Sequence, residues 1–297
     1  MRKSGWPDLR WGRGGEGARA RDFRRLASGG ERREVTAIES AAAPQARRLV
    51  TTTDAWKLFA LIFVLVDHYG LFFDEDELWW RLFGRLASPV FFFLIGFART
   101  RRVPWTWIAF GLILTATEYW TSSPDERVMV NILINFALLR LTLPLVERHI
   151  MPHPWRLAAL AAASAAVIPV LDPVLEYGGE GWLWAWLGLA HRLYLAEPRE
   201  PSLWRRNLMA LAAGGAYVVR EISDYGFDWL QSALLAALIA GLVLALLRFR
   251  RTDLAWQPPP PLDALFAFAG RRSLEIYALT LLAMQLTAYA IDQAAGA

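Results

Sequence analysis

The stretch Asp54-Ala-Trp-Lys-Leu-Phe-Ala-Leu-Ile-Phe-Val-Leu-Val-Asp67-His68 opens a series of apolar segments, each about twenty residues long. A helix of about twenty residues crosses a hydrocarbon core of roughly 30 Å. Hydrophobic residues make up 55% of the 297-residue chain, and charged residues only 20%. The runs are continuous rather than alternating, which argues against membrane-spanning strands. The sequence therefore predicts an all-α fold, a polytopic bundle of transmembrane helices.

About nine spans account for the apolar runs. They are predicted at residues 55–73, 80–98, 103–121, 128–146, 155–172, 181–196, 205–222, 229–249 and 264–291. The sixth is the weakest, because it is short and follows Tyr177-Gly178-Gly179. Many of the 15 tryptophans lie near the ends of runs, a position typical of the membrane headgroup region.

Basic residues alternate between the loops. The loops at residues 99–102, 148–156, 192–206 and 248–251 are basic, and those at 74–77, 122–127, 172–180 and 224–228 are acidic or nearly free of Lys and Arg. Basic loops stay in the cytoplasm. We therefore expect a multi-pass protein of a bacterial cytoplasmic (inner) membrane, surrounded by lipid, with a cytoplasmic amino terminus.

Residues 1–53 differ in composition from the rest. They are rich in Arg, Gly and Ala and lack the apolar core of a signal peptide. This composition predicts a disordered cytoplasmic leader ahead of a transmembrane domain at residues 54–297. Whether the leader is translated in the native protein stays open, since an over-long start gives the same pattern.

Composition also excludes several classes of site. The chain has no cysteine, so disulfides, thiolate metal sites and a cysteine nucleophile are ruled out. The four histidines do not show the close helical spacing of a zinc pair, so no metal is expected. The net charge of +4 arises from the leader and the cytoplasmic loops, and predicts no nucleic-acid partner.

Polar side chains inside the spans converge on one depth. Such residues are costly in a membrane and therefore mark function. The set comprises Asp67, His68, Arg81, Arg85, Glu118, Tyr119, Asn131, Asn135, Arg220, Glu221 and Asp224. All are predicted near the external ends of their helices, which indicates a polar cavity open to the outside.

Among the four histidines, His68 is the best candidate catalyst. A neutral imidazole accepts a proton from an amine or hydroxyl near neutral pH. Neighbouring helical residues diverge by about 100°, so Asp67 is predicted to pair with Arg81 or Arg85 rather than with His68. An interfacial histidine without chemistry is the alternative. Arg140, deep in the fourth span, is a possible partner for Glu275.

Two motifs carry a family resemblance. Asp54-x-x-Lys57, the Asp67-His68 pair and Arg81-Leu-Phe-Gly-Arg85-Leu-Ala-Ser-Pro89 resemble the opening of TraX-family proteins. The segment from Gly270 through Arg271 and Arg272 to Tyr277, Gly-Arg-Arg-Ser-Leu-Glu-Ile-Tyr, is similar to the last helix of transmembrane acyltransferases, a group that includes heparan glucosaminide acetyltransferases. Two departures are that Ser88 replaces a usual aromatic residue and Thr280 replaces a histidine.

The resemblance implies an integral membrane acyltransferase. The type member of the family acetylates the pilin amino terminus, using acetyl-CoA from the cytoplasm. Here the acceptor would be an extracytoplasmic amine or hydroxyl on a protein amino terminus, a glycan or a lipid. By position, the resemblance makes His68 catalytic, with Asp67, Arg81 and Arg85 around it.

The remaining site residues are assigned by their predicted side of the membrane. Arg271, Arg272 and Lys57 are expected to bind the CoA phosphates, and Glu118, Asn131 and Asn135 the acceptor. Two other functions stay open, a proton-coupled transporter or lipid flippase, and a non-catalytic partner in polymer secretion. Direct transfer and an acyl-enzyme are both compatible with the sequence, as are a monomer and a homodimer.

Overall fold

The computed structural model describes residues 49–122 and 128–295, so most of the predicted leader lies outside the described residues. Over these ranges the chain forms ten α-helices and no strand. They are α1 (Thr52–Phe73), α2 (Leu78–Gly84), α3 (Ala87–Phe97), α4 (Trp105–Thr121), α5 (Ile132–Leu145), α6 (Pro154–Leu171), α7 (Gly178–Ala196), α8 (Glu200–Tyr225), α9 (Trp229–Leu247) and α10 (Leu262–Ala295). A single π-helical turn, Val146–Ile150, follows α5.

The all-α transmembrane class predicted from the sequence is confirmed. Five helical segments of the described chain are long and apolar enough to cross a membrane, namely α1, the α2–α3 pair, α6, α9 and α10. The other predicted spans also coincide with helices, but α4 and α5 are shorter and α7 and α8 are less apolar. Length and composition thus support five of the nine predicted spans, and the count of nine is not confirmed.

The connectors of the bundle gather at two opposite ends. One end, which we call the basic end, holds residues 98–104, 146–153 and 248–261. Arg101 and Arg192 both pair there with Glu147, at 3.1 and 2.7 Å. Helix α1 starts at this end, where the Thr52 amide donates to the Thr252 carbonyl at 2.9 Å.

The other end, which we call the acidic end, holds residues 74–77, 172–177 and 226–228. Arg220 of α8 pairs there with Asp172 at the end of α6. The Val130 amide, just before α5, donates to the Val174 carbonyl at 2.8 Å. A helix of 22 residues such as α1 spans about 33 Å between the two ends.

Helices α3 and α7 form the centre of the bundle. Phe92 and Phe93 of α3 and Trp184 of α7 are fully buried. At Gly96 the two backbones touch, because an added Cβ would overlap the carbonyl of Ala185. Small residues allow such close contact between membrane helices. The close contact between α3 and α7 therefore involves the helix that directly follows Arg85 in the chain.

The predicted second span, at residues 80–98, coincides with one membrane-long segment, Leu78–Phe97, but this segment is not one continuous helix. It is broken between Gly84 and Ala87 into α2 and α3. Pro89 has no amide hydrogen to donate to the carbonyl four residues earlier, which belongs to Arg85. The Tyr217 hydroxyl of α8 donates to that carbonyl instead, at 2.8 Å. The Arg85 carbonyl at the break therefore receives its hydrogen bond from a helix that is distant in the sequence.

Helices α1 and α10 run side by side in the same direction and bring the two sequence motifs together. The Lys57 ammonium donates to the Gly270 carbonyl at 2.8 Å. Further along, the rings of His68 and Tyr277 lie 5.8 Å apart. The front and back motifs therefore border one continuous region of the bundle.

The possible Arg140–Glu275 pair was wrong. Arg140 donates to the Arg102 carbonyl at 2.6 Å, and its guanidinium lies 4.1 Å from the centre of the Trp107 ring. Glu275 instead pairs with Arg272 at 3.4 Å. A guanidinium over an aromatic face is stabilised without a carboxylate, which the sequence pattern does not reveal.

Candidate functional site

A cavity of about 680 Å³ opens at the acidic end. Most of the polar side chains that the sequence placed at one depth line it: Asp67, His68, Arg81, Arg85, Glu118, Asn131, Arg220, Glu221 and Asp224. Tyr119 and Asn135 are not among the lining residues, and Tyr119 is 77% exposed. The predicted convergence of polar groups from several helices is therefore present.

The Asp67 carboxylate is held by two arginines. Arg85 donates to both of its oxygens. Arg81 lies 3.1 Å from Oδ2 and also donates to the Asp67 carbonyl at 3.0 Å. A buried carboxylate is tolerated when it is paired and hydrogen-bonded in this way. The predicted ion pair is thus formed by both arginines.

Aromatic rings and a second carboxylate complete the surroundings of the arginines. Arg81 donates to the Tyr225 hydroxyl at 2.7 Å. Arg85 lies 3.6 Å from Glu221 and over the rings of Tyr177 and Tyr225, at 5.6 and 5.2 Å. Cation–π contacts and ion pairs hold both guanidinium groups in fixed positions. The arginines therefore form a rigid frame for the helix that carries His68.

His68 lies at the junction of two cavities. It is buried, with 7% exposure, and lines both the large cavity and a second one of about 20 Å³. Its Nδ1 atom has no hydrogen-bond partner among the described residues. Asp67 points to the arginines, as the angular divergence of neighbouring residues predicted. The imidazole is therefore available for chemistry with a bound molecule.

The small cavity extends from His68 toward the basic end. Its polar rim includes His68, Glu176 and Tyr277. Its apolar wall is formed by Val64, Phe91, Ile132, Phe136 and Leu274. Val64 precedes His68 by about one helical turn on α1, which places this wall nearer the basic end. A volume of this size suits a group of one or two heavy atoms.

Glu176, in the connector before α7, also lines both cavities. Its carboxylate accepts a hydrogen bond from the Ile132 amide at 2.9 Å and lies 3.4 Å from the Asn131 side-chain nitrogen. Burial raises the pKa of Glu176 to about 7, although the Ile132 hydrogen bond opposes the shift. This carboxyl group therefore changes charge near neutral pH.

The two asparagines of α5 have different roles. Asn131 caps the helix, since its Oδ1 accepts from the Leu133 amide at 3.1 Å. Asn135 donates to the carbonyls of Glu176 and Tyr177 at 3.0 Å each and accepts from Trp182 at 2.7 Å. The structure thus places Asn135 away from the predicted acceptor site. It holds the left-handed turn at Tyr177, where φ is 54°.

The three residues predicted to bind CoA lie together at the basic end. Lys57 is largely buried against Gly270, and the next two residues, Arg271 and Arg272, are exposed. Along α1, Lys57 lies about 16 Å from His68. The predicted donor residues and the predicted catalyst are therefore separated by roughly half the length of a membrane-spanning helix.

Comparison with known proteins agrees with the front motif. The family described as TraX protein matches residues 52–268. The chain belongs to the TraX family. "Protein TraX" of Escherichia coli is 30% identical over 203 residues, which cover 65% of this chain and 72% of that relative. No solved structure matches the chain. The TraX match contains Asp67, His68 and both arginines, but ends before Gly270.

Sequence reasoning missed part of the site of this TraX-family chain. Glu176, Tyr177 and Glu180 all line the large cavity, yet all three were assigned to the loop at residues 172–180. The Oε2 atom of Glu180 is buried without a hydrogen-bond partner among the described residues. The signal was present in the sequence, because two acids flank a glycine pair in an external loop at the predicted cavity depth.

Proposed function

We infer that this TraX-family chain is a membrane acyltransferase that moves a short acyl group, acetyl above all, from an acyl-CoA to an acceptor amine. The observation that carries this proposal is the position of His68 between two cavities of opposite character. A reaction that joins a donor from one end to an acceptor from the other needs its base at such a junction.

The chemistry follows from a neutral imidazole. His68 would take a proton from the attacking amine as the nitrogen bonds to the thioester carbonyl carbon. The carbon–sulfur bond then breaks, and the thiolate of CoA leaves and takes up the proton from His68. Direct transfer requires only that both substrates reach His68 together, which the shared position on the two cavity walls supports.

The charge of the large cavity favours a cationic acceptor. Nine carboxyl side chains line it, against three arginines, and each of the arginines is already paired with a carboxylate. A cavity with an excess of one charge concentrates ligands of the opposite charge. An acceptor that arrives as an ammonium, such as a protein amino terminus, is therefore favoured over a neutral hydroxyl. The ammonium would release one proton to water in the open cavity before the neutral amine attacks, and His68 would take the second proton.

The donor would approach from the basic end. The exposed guanidinium groups of Arg271 and Arg272 are suited to the phosphates of CoA. The small apolar cavity beside His68 offers space for the methyl end of an acetyl group, and its limited volume disfavours a long acyl chain. Lys57 would contribute positive charge near the same phosphates, provided that its bond to Gly270 opens.

Transfer from radiolabelled acetyl-CoA to a peptide amino terminus, with the purified protein in detergent, tests the proposal. We expect transfer by the wild type and a fall of about 10²–10⁴-fold in His68→Ala. His191→Ala is the matched control, because His191 is also buried but bonds to the Phe249 carbonyl at the basic end. A correctly assembled wild type that never transfers label would favour the transporter or the non-catalytic partner.

A further inference from the structure

Tyr277 of α10 lies beside His68 and lines the small cavity. The side chain is buried, with 4% exposure, and its ring centre is 5.8 Å from that of His68. The amide nitrogen of Asn131 donates to the Tyr277 oxygen at 3.0 Å. Among the described residues this is the hydroxyl's hydrogen-bond partner.

The direction of that hydrogen bond is fixed by the cap of α5. The Oδ1 atom of Asn131 accepts from the Leu133 amide at 3.1 Å, so the amide nitrogen must face Tyr277. An amide nitrogen donates and cannot accept. The tyrosine oxygen is therefore the acceptor, and its own proton is free to be donated to a third group.

Tyr277 and His68 line the same small cavity, so the group that accepts the tyrosine hydrogen bond belongs to a molecule bound there. During acyl transfer the thioester carbonyl oxygen becomes negatively charged as the amine nitrogen bonds to the carbonyl carbon. When the carbon–sulfur bond breaks, the oxygen re-forms its double bond to carbon and the negative charge leaves with the sulfur. A group that stabilises the oxygen therefore donates a hydrogen bond and does not transfer its proton. A positioned donor in a site without water is worth more than the same donor in solution.

We propose that the Tyr277 hydroxyl donates a hydrogen bond to the oxyanion of the tetrahedral intermediate, and that Asn131 is the residue that positions it. The proposal rests on the acyltransferase function proposed above. His68 moves the proton, Tyr277 stabilises the oxygen, and Asn131 orients the hydroxyl group by occupying one of its lone pairs.

Tyr277→Phe tests the catalytic role, because it removes the hydroxyl and keeps the ring. We expect kcat for acetyl transfer to fall about 10²-fold or more, with little change in the KM for acetyl-CoA. Tyr194→Phe is the control, since Tyr194 contacts Arg206 away from both cavities. Full kcat in Tyr277→Phe, or a raised KM with unchanged kcat, would overturn the proposal.

Asn131→Ser tests the positioning role separately. Serine keeps a capping oxygen for α5 but is too short to reach Tyr277. We expect a smaller loss of kcat than in Tyr277→Phe, and no further loss when Asn131→Ser is added to Tyr277→Phe, because both act through one hydroxyl. Additive losses would show that Asn131 acts by another route. Wild-type protein without any acetyl transfer would refute the acyltransferase function itself, a result distinct from either variant's failure.

Discussion

Arg85 is the residue on which most of the site depends. Its side chain is 5% exposed, donates to both oxygens of Asp67 and lies 3.6 Å from Glu221. Removing one partner of a buried ion pair leaves the other charge without compensation. The loss is therefore larger than the net contribution of the intact pair.

We expect Arg85→Ala to lower the free energy of unfolding by about 3–5 kcal/mol and to abolish acetyl transfer. Thermal unfolding of the detergent-solubilised protein measures the first effect. Arg272→Ala is the control, since its side chain is 63% exposed and pairs with Glu275 at 3.4 Å, so we expect a change below about 1 kcal/mol. Equal losses of unfolding free energy in the two variants would contradict the account in which burial of Arg85 makes its ion pair important for stability.

Glu176 gives a prediction about pH. Because burial raises its pKa to about 7 from the usual 4.5, the folded protein keeps the proton over a range where the unfolded chain has lost it. This group's contribution to stability therefore falls as pH rises from about 4.5 to 7. Glu176→Gln, which mimics the neutral acid, should raise the unfolding temperature relative to wild type at pH 8 but not at pH 5. Glu75→Gln, in an exposed loop, should show no such difference.

At the scale of single residues, the sequence identified the functional candidates whose charge is unusual for a membrane helix. Asp67, His68 and both arginines were found in this way, because each departs from its apolar surroundings. Tyr277 received no role, since a tyrosine in an apolar helix is ordinary. The role proposed for it depends on its contact with Asn131, which lies in a different predicted span.

The break between α2 and α3 is the element that sets the position of Arg85. Tyr217 of α8 is fully buried, donates to the Arg85 carbonyl at 2.8 Å and lies 3.0 Å from the Ser88 hydroxyl. Tyr217→Phe would leave that buried carbonyl without its donor. We expect the free energy of unfolding to fall by about 1–3 kcal/mol, measured by thermal unfolding. Tyr119→Phe, at a 77% exposed position, should leave it unchanged, and equal shifts would refute this account of the break.

Hydropathy predicted where helices lie better than where they break. Gly84 and Pro89 indicate that the second span can bend, but the hydroxyl that compensates the break could not be predicted because it lies 132 residues further along the chain. The sixth predicted span, which corresponds to α7, was judged the weakest because it is short and follows Gly178 and Gly179. Instead both belong to α7, and a Cβ at Gly179 would overlap the Ser164 carbonyl of α6. Only the packed neighbour distinguishes a glycine at a contact from a glycine in a turn.

Across the whole molecule, charge separates the two ends of the bundle. Connectors rich in arginine meet at the end where α1 and α10 begin, and acidic side chains surround the large cavity at the other. The positive-inside rule predicts that the basic end faces the cytoplasm. This orientation would let acyl-CoA reach Arg271 and Arg272 while the acceptor enters the cavity from outside.

Cysteine labelling in intact cells tests that orientation, because the native chain contains no cysteine. Thr100 and Glu75 are both exposed, in connectors at the basic and acidic ends. We expect a membrane-impermeant maleimide to label Glu75→Cys in intact cells, and Thr100→Cys only after the cells are permeabilised. The reason is that arginines in a loop favour its retention in the cytoplasm, whereas an acidic loop carries no such barrier to export. The reverse pattern would place the cavity in the cytoplasm, and the acceptor would then have to be a cytoplasmic amine.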